Sequence, residues 1–126
     1  NKAGAEFLAS HVNKDGYDVE FIEVPNSTLH LTTVCSSPRK GTIIAAEGHL
    51  KENQISKFAE EIIWIPNNES YASNTIGYSN DRLIVAAGFP KTKNILQNEG
   101  FRLMSVDMAP IMQADGSLTC LSVYTS

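Results

Sequence analysis

A chain of 126 residues, 42% hydrophobic and 19% charged, has the size of one domain and enough apolar matter for a core, which excludes a disordered segment. Its formal charge of −4 and scattered Lys and Arg exclude the clustered cations that phosphate contacts need, so no nucleic-acid partner is expected. The longest apolar runs, such as LIVAAGF, are strand-sized, so no membrane partner is expected either.

In chain order, KAGAEFLASHVNKDG predicts a helix closed by Gly16, because Ala3, Phe7 and Leu8 recur at helical spacing and glycine suits a left-handed cap. YDVEFIEV predicts a strand with imperfect alternation, stopped by Pro25 and Asn26. LHLTTVC and GTIIAA predict a hairpin turned through SSPRKG. ENQISKFAEE reads as a short helix and IIWIP as the next strand. The pattern then returns after roughly 40 residues: IIWIPNNES echoes FIEVPNST, and NTIGYSNDRLIVAAG echoes TVCSSPRKGTIIAAEG. A third copy begins at the helix TKNILQNEG, where Gly100 plays the part of Gly16, and continues through FRLMSVDMAP to a strand in GSLTCLSVY. About two and a half units of strands plus one helix are therefore present, an α+β pattern whose units bury their apolar faces against neighbours. The start at Asn1, directly in helix-like sequence, reads as a cut from something longer.

Strand alternation sorts the reactive side chains. In TLHLTTVC it places Thr28, His30 and Thr32 on one face, and Leu29, Leu31, Thr33 and Cys35 on the other, so Cys35 reads as a small buried residue. In the last strand Leu118, Cys120, Ser122 and Tyr124 share a face opposite Thr119, Leu121 and Val123, just after a turn at Asp115-Gly116. Three readings of Cys120 stay open: a buried hydrophobe, half of a disulfide with Cys35, or a nucleophile. Two cysteines and no secretory signal fit a reducing, cytoplasmic compartment. If the units surround an axis, His30 and Cys120 converge on its centre, and a thiolate with an imidazole is the minimal pair for nucleophilic catalysis. Spacing offers no zinc scaffold, phosphate loop or dinucleotide fingerprint, so no cofactor is expected. His11 reads as solvated, His49 as a loop residue, and Asp107 as the N-cap of APIMQA.

The segment GFRLMSVDMAPIMQADGSLTCLSVYTS resembles the C-terminal end of the guanidino-group-modifying enzymes, most of all the dimethylarginine dimethylaminohydrolases. GYDVEFIEVPNSTLHLTTVC resembles the strand that leads into that family's Leu-His-Leu motif, and NTIGYSNDRLIVAAGFPKT its intervening hairpin. The resemblance implies a pentein fold, five ββαβ-type units about a pseudo-fivefold axis, with residues 1–126 as the C-terminal portion of one such domain. It implies Cys120 as nucleophile, His30 as general acid/base, and a guanidino substrate related to arginine. The carboxylates and arginine that grip the substrate in this family have no matching positions here, and neither Glu47 nor Asp115 occupies a family motif. The expectation is therefore the catalytic part of an amidine hydrolase whose substrate-binding residues belong to a missing N-terminal half. Arginine deimination and amidino transfer are related outcomes. The alternative is an inactive truncated module that self-associates or pairs with that half through exposed edges.

Overall fold

The computed structural model describes residues 1–123. It contains helices α1 (Lys2–Val12), α2 (Glu52–Ile55), α3 (Pro90–Asn98) and α4 (Ala109–Met112), and strands β1 (Cys35–Arg39), β2 (Thr42–Ala46), β3 (Glu61–Ile65), β4 (Ile76–Tyr78), β5 (Arg82–Ala86) and β6 (Arg102–Val106). The strands form two three-stranded sheets, β1-β2-β3 and β4-β5-β6. Each begins with an antiparallel hairpin and is completed by a strand parallel to the second hairpin strand. In each the parallel crossover carries the unit's helix, α2 or α3, so the sequence repeat is a structural repeat. The result is an α+β fold with two mixed sheets in a pentein-like arrangement. No helix among the described residues is long and apolar enough to cross a membrane.

The repeat also organises the core. Helix α3 lies between the two sheets: Leu96 packs with Ile44, Ile63 and Ile65 of the first sheet and Leu83 and Val85 of the second. Near α2, Ile55 clusters with Ala45 of the first sheet, while half-buried Ile22, Val24 and Trp64 pack around them. A third cluster joins Ile76 and Ala86 to Met108 and Leu118 in the last part of the chain. Gly100, at φ 87°, closes α3 as the sequence suggests, while Gly16, at φ 84°, ends the 3₁₀ turn Asn13–Asp15 that follows α1.

Backbone and charge lock the two units together. β1 and β4 approach so closely that a Cβ on Gly77 would run into the carbonyl group of Pro38. Arg39 reaches from the first hairpin to Asp81 in the turn of the second (2.8 Å), also binds Glu61 (3.1 Å), and lies over the Phe101 ring.

Three predicted strands are not strands. Residues 17–24 are irregular, although Ile22 and Val24 pack inward while Phe21 points to solvent. The equivalent strands β3 and β6 each pair in parallel with a hairpin that precedes their unit's helix. No described hairpin precedes α1, so 17–24 has no ladder to join. Leu31–Thr33 forms a 3₁₀ turn, with Thr33 N–H and hydroxyl both donating to the His30 carbonyl, and β1 begins only at Cys35. The hairpin exists, but it turns at Lys40-Gly41 and uses CSSPR as its first strand. Leu118–Leu121 is likewise a 3₁₀ turn rather than a strand. The face assignments made for His30 and Cys120 from alternation therefore do not apply, and Tyr124 lies outside the described residues.

Candidate active site

The segment that carries Cys120 is built from its N-terminal side. Asp107 accepts a hydrogen bond from the N–H of Ala109 at 3.0 Å just ahead of α4, but the N-cap of the helix is Met108, one residue later than the sequence suggests. The helix closes through Asp115, whose φ of 57° turns the chain back over it. The Tyr71 hydroxyl then donates to the Gly116 carbonyl at 2.8 Å. Ser117 and Leu118 are buried, with Leu118 in the third core cluster, and together they anchor the 3₁₀ turn from beneath.

Cys120 itself is exposed and reduced, and Cys35 is a free thiol too, so the two form no disulfide. The Cys120 N–H donates to the Ser117 carbonyl (3.1 Å), and its sulfur lies 3.4 Å from the Ser117 hydroxyl. That hydroxyl, followed by the backbone at Ser117, holds the Cys120 thiol below its ordinary value by stabilising the thiolate. Cys35 is the opposite case. Half-buried, with its S–H directed to the Leu31 carbonyl at 3.5 Å, its thiol is pushed up to about 11 by burial. It is a neutral packing residue at ordinary pH, as its apolar neighbours in the sequence suggest.

His30 is exposed, with extended backbone, and it immediately precedes the 3₁₀ turn Leu31–Thr33. Its imidazole makes no hydrogen bond to Cys120 among the described residues. What joins the two segments is Asn74, which is 1% exposed. Its amide nitrogen donates to the Thr32 carbonyl, two residues beyond His30, and to the Thr119 hydroxyl at 2.8 Å; its amide oxygen accepts from the Thr119 N–H at 3.1 Å. A cleft of about 260 Å³ runs between the segments, with Leu29 and Thr33 on one side and Gly116 and Ser117 on the other. Neither His30 nor Cys120 lines it.

The other histidines have local tasks. His49 sits in a loop and links the Thr28 hydroxyl (3.1 Å) to the Asn67 side chain (3.2 Å). His11 is exposed and bonds the Phe7 carbonyl through Nδ1. No group of three or more metal-binding side chains occurs among the described residues.

Sequence reasoning missed Asn74, Tyr71 and Ser117. For Asn74 a signal was present: counted from the paired positions Ser36–Ile44 and Ile76–Ile84, Asn74 stands where the first unit has the buried Val34. A polar residue at an apolar position of a repeat marks a side chain kept for its hydrogen bonds.

No protein-family model matches the chain. Among curated proteins it is 30% identical to the dimethylarginine dimethylaminohydrolase of Pseudomonas aeruginosa over 98% of its own length, and 28% identical to that of Streptomyces coelicolor. It covers 47% and 45% of those enzymes, so it spans about half the length of these relatives. Among solved structures, a cysteine-to-serine variant of the Pseudomonas enzyme complexed with citrulline superposes with a TM-score of 0.82 at 29% identity, over 95% of this chain and 46% of that one. A histidine-to-glycine variant of a dimethylarginine dimethylaminohydrolase, in adduct with S-methyl-L-thiocitrulline, matches equally, with a TM-score of 0.82 and 29% identity. An amidinotransferase of saxitoxin biosynthesis from Microseira wollei shares the fold, with a TM-score of 0.83 at 22% identity over 95% of this chain and 39% of that one. Along nearly its whole length, the chain is thus similar in sequence and fold to about half of these guanidino-modifying enzymes.

Proposed function

We propose that the chain is the C-terminal catalytic portion of a hydrolase that acts on the guanidinium carbon of arginine derivatives, methylated arginine first among them. The Cys120 thiolate attacks that carbon to give a tetrahedral adduct. His30 then protonates the departing amine, and the C–N bond breaks to leave a covalent thiouronium on the sulfur. With the amine gone, His30 takes a proton from water as the oxygen adds to the same carbon. Collapse of the second adduct expels the thiolate and releases citrulline.

The single observation that carries this reading is the pairing of an exposed, acidified thiol with a histidine whose adjoining chain is tied, through Asn74, to the turn that carries the thiol. The relatives add support. A histidine and a cysteine are the residues substituted in the two hydrolase structures, which hold S-methyl-L-thiocitrulline and citrulline. On this reading the carboxylates that hold the guanidinium come from the other half of the protein, since a planar cation needs paired acceptors that no motif here supplies. In the full-length protein, Cys120→Ser should lower citrulline formation from dimethylarginine by roughly 10³-fold or more. Turnover within a few-fold of the parent would remove the nucleophile assignment.

A second reading concerns the chain taken alone: an incomplete module that self-associates or pairs with the remaining half. Residues 17–24, which join no ladder, and the exposed side chains of Phe7, Leu8 and Phe21 favour it.

A further inference from the structure

We propose that Asn74 is a positioning residue that fixes the Cys120 turn relative to the His30 turn and so sets the reactivity of the thiol. The inference rests on the assignment of Cys120 and His30 made above and adds a third residue to it. The two short turns present complementary unsatisfied groups. The Thr119 N–H belongs to the first turn of Leu118–Leu121, and the Thr32 carbonyl belongs to Leu31–Thr33. Helical turns this short leave such donors and acceptors without internal partners.

One amide satisfies both, because it carries a donor and an acceptor on the same carbon. Its orientation follows from the partners, since the nitrogen faces a carbonyl and the oxygen faces an N–H. Aspartate would lose the donors, and leucine would lose donor and acceptor alike. The backbone on either side of Asn74 is held in turn. The Ser36 hydroxyl donates to the Ser73 carbonyl at 2.6 Å and contacts the Thr75 hydroxyl at 2.7 Å. Asn74 is thus fixed to β1 behind and to both turns in front. With Thr119 anchored, the turn closes through the Cys120 N–H onto Ser117 and keeps the Ser117 hydroxyl beside the sulfur. Releasing Thr119 frees that geometry, and the thiolate loses its donor.

The test uses the full-length protein in a Cys35→Ala background and measures the pH dependence of iodoacetamide alkylation at Cys120 together with kcat and KM. Asn74→Leu should move the alkylation midpoint upward by about half a unit or more and lower kcat roughly 10- to 100-fold, with KM within about threefold. Thr119→Val, which trims one of the three hydrogen bonds, should shift the midpoint the same way by less, and it serves where the leucine variant fails to fold. Leu103→Ala, a destabilising change in β6 away from both turns, should leave the midpoint in place. An unmoved midpoint in the folded Asn74 or Thr119 variant, or an equal movement in Leu103→Ala, overturns the proposal. Because alkylation needs no turnover, this result is separate from retained activity in Cys120→Ser, which would sink the hydrolase reading instead.

Discussion

At the residue scale, Glu69 shows how a buried charge earns its place. The carboxylate is 6% exposed and accepts three hydrogen bonds at the start of α3: from the Thr92 N–H (2.7 Å), the Thr92 hydroxyl (2.8 Å) and the Lys91 N–H (3.2 Å). Burial alone would push its carboxyl up, but these donors, at the positive end of a helix, outweigh burial and hold it below the usual range. A carboxyl whose native value is depressed binds more protons in the unfolded chain. Its contribution is therefore complete above the unfolded value of about 4.3 and drains away as pH falls through the native value. Glu69→Gln should cost about 2 kcal/mol at neutral pH. In urea titrations across the acid range the two proteins should converge as pH drops below about 4. A gap that persisted unchanged at pH 3 would mean that the Glu69 carboxyl titrates in the native state where it does in the unfolded chain, so that the donors at α3 do not depress it. Nothing in the local sequence PNNES announces this role, because the donors stand in a helix that begins about twenty residues later.

At the element scale, the crossing of β1 and β4 depends on what is missing from each strand. Pro38 occupies the irregularity between the paired residues Ser36 and Arg39, where its lack of an N–H costs no ladder bond. The Pro38 carbonyl group then faces Gly77, leaving no room for a side chain. Gly77→Ala should destabilise the protein by about 3 kcal/mol, read as a lower denaturant midpoint at unchanged slope; a shift below a third of that would show that the strands part easily. Elements with strong local signals were legible in the sequence: the glycine-capped helices, the apolar strands β2, β3 and β5, and the repeat that relates them. The stretches carrying His30 and Cys120 were not. Their Leu, Thr and Val residues favour strands, and the forces that wind them into 3₁₀ turns are a Thr33 back-bond and the distant Asn74. Motif resemblance singles out His30 and Cys120, while the contacts that Asn74, Tyr71 and Ser117 make around them appear only in three dimensions.

At the scale of the whole molecule, each internal face is filled by the next unit, and the last face is not. Ile63 and Ile65 of β3 are covered by α3, and the corresponding positions of β6 are Met104, 64% exposed, and Val106, 36% exposed. At the equivalent place in the first unit the helix of the next unit does the covering, and this chain spans about half the length of its relatives. A charge at Met104 therefore acts in opposite directions in two settings. In the full-length protein Met104→Glu should destabilise by about 2–3 kcal/mol, because it buries an unpaired carboxylate against a helix. In residues 1–126 alone the same change should leave the unfolding midpoint within about 0.5 kcal/mol and shift the chain from assemblies toward monomer in sedimentation velocity, because an exposed apolar face gains charge. Equal destabilisation in both settings would place Met104 in the core of this chain by itself. No effect in either would show that the face stays open in the complete protein, and the ring would then have to close by another surface.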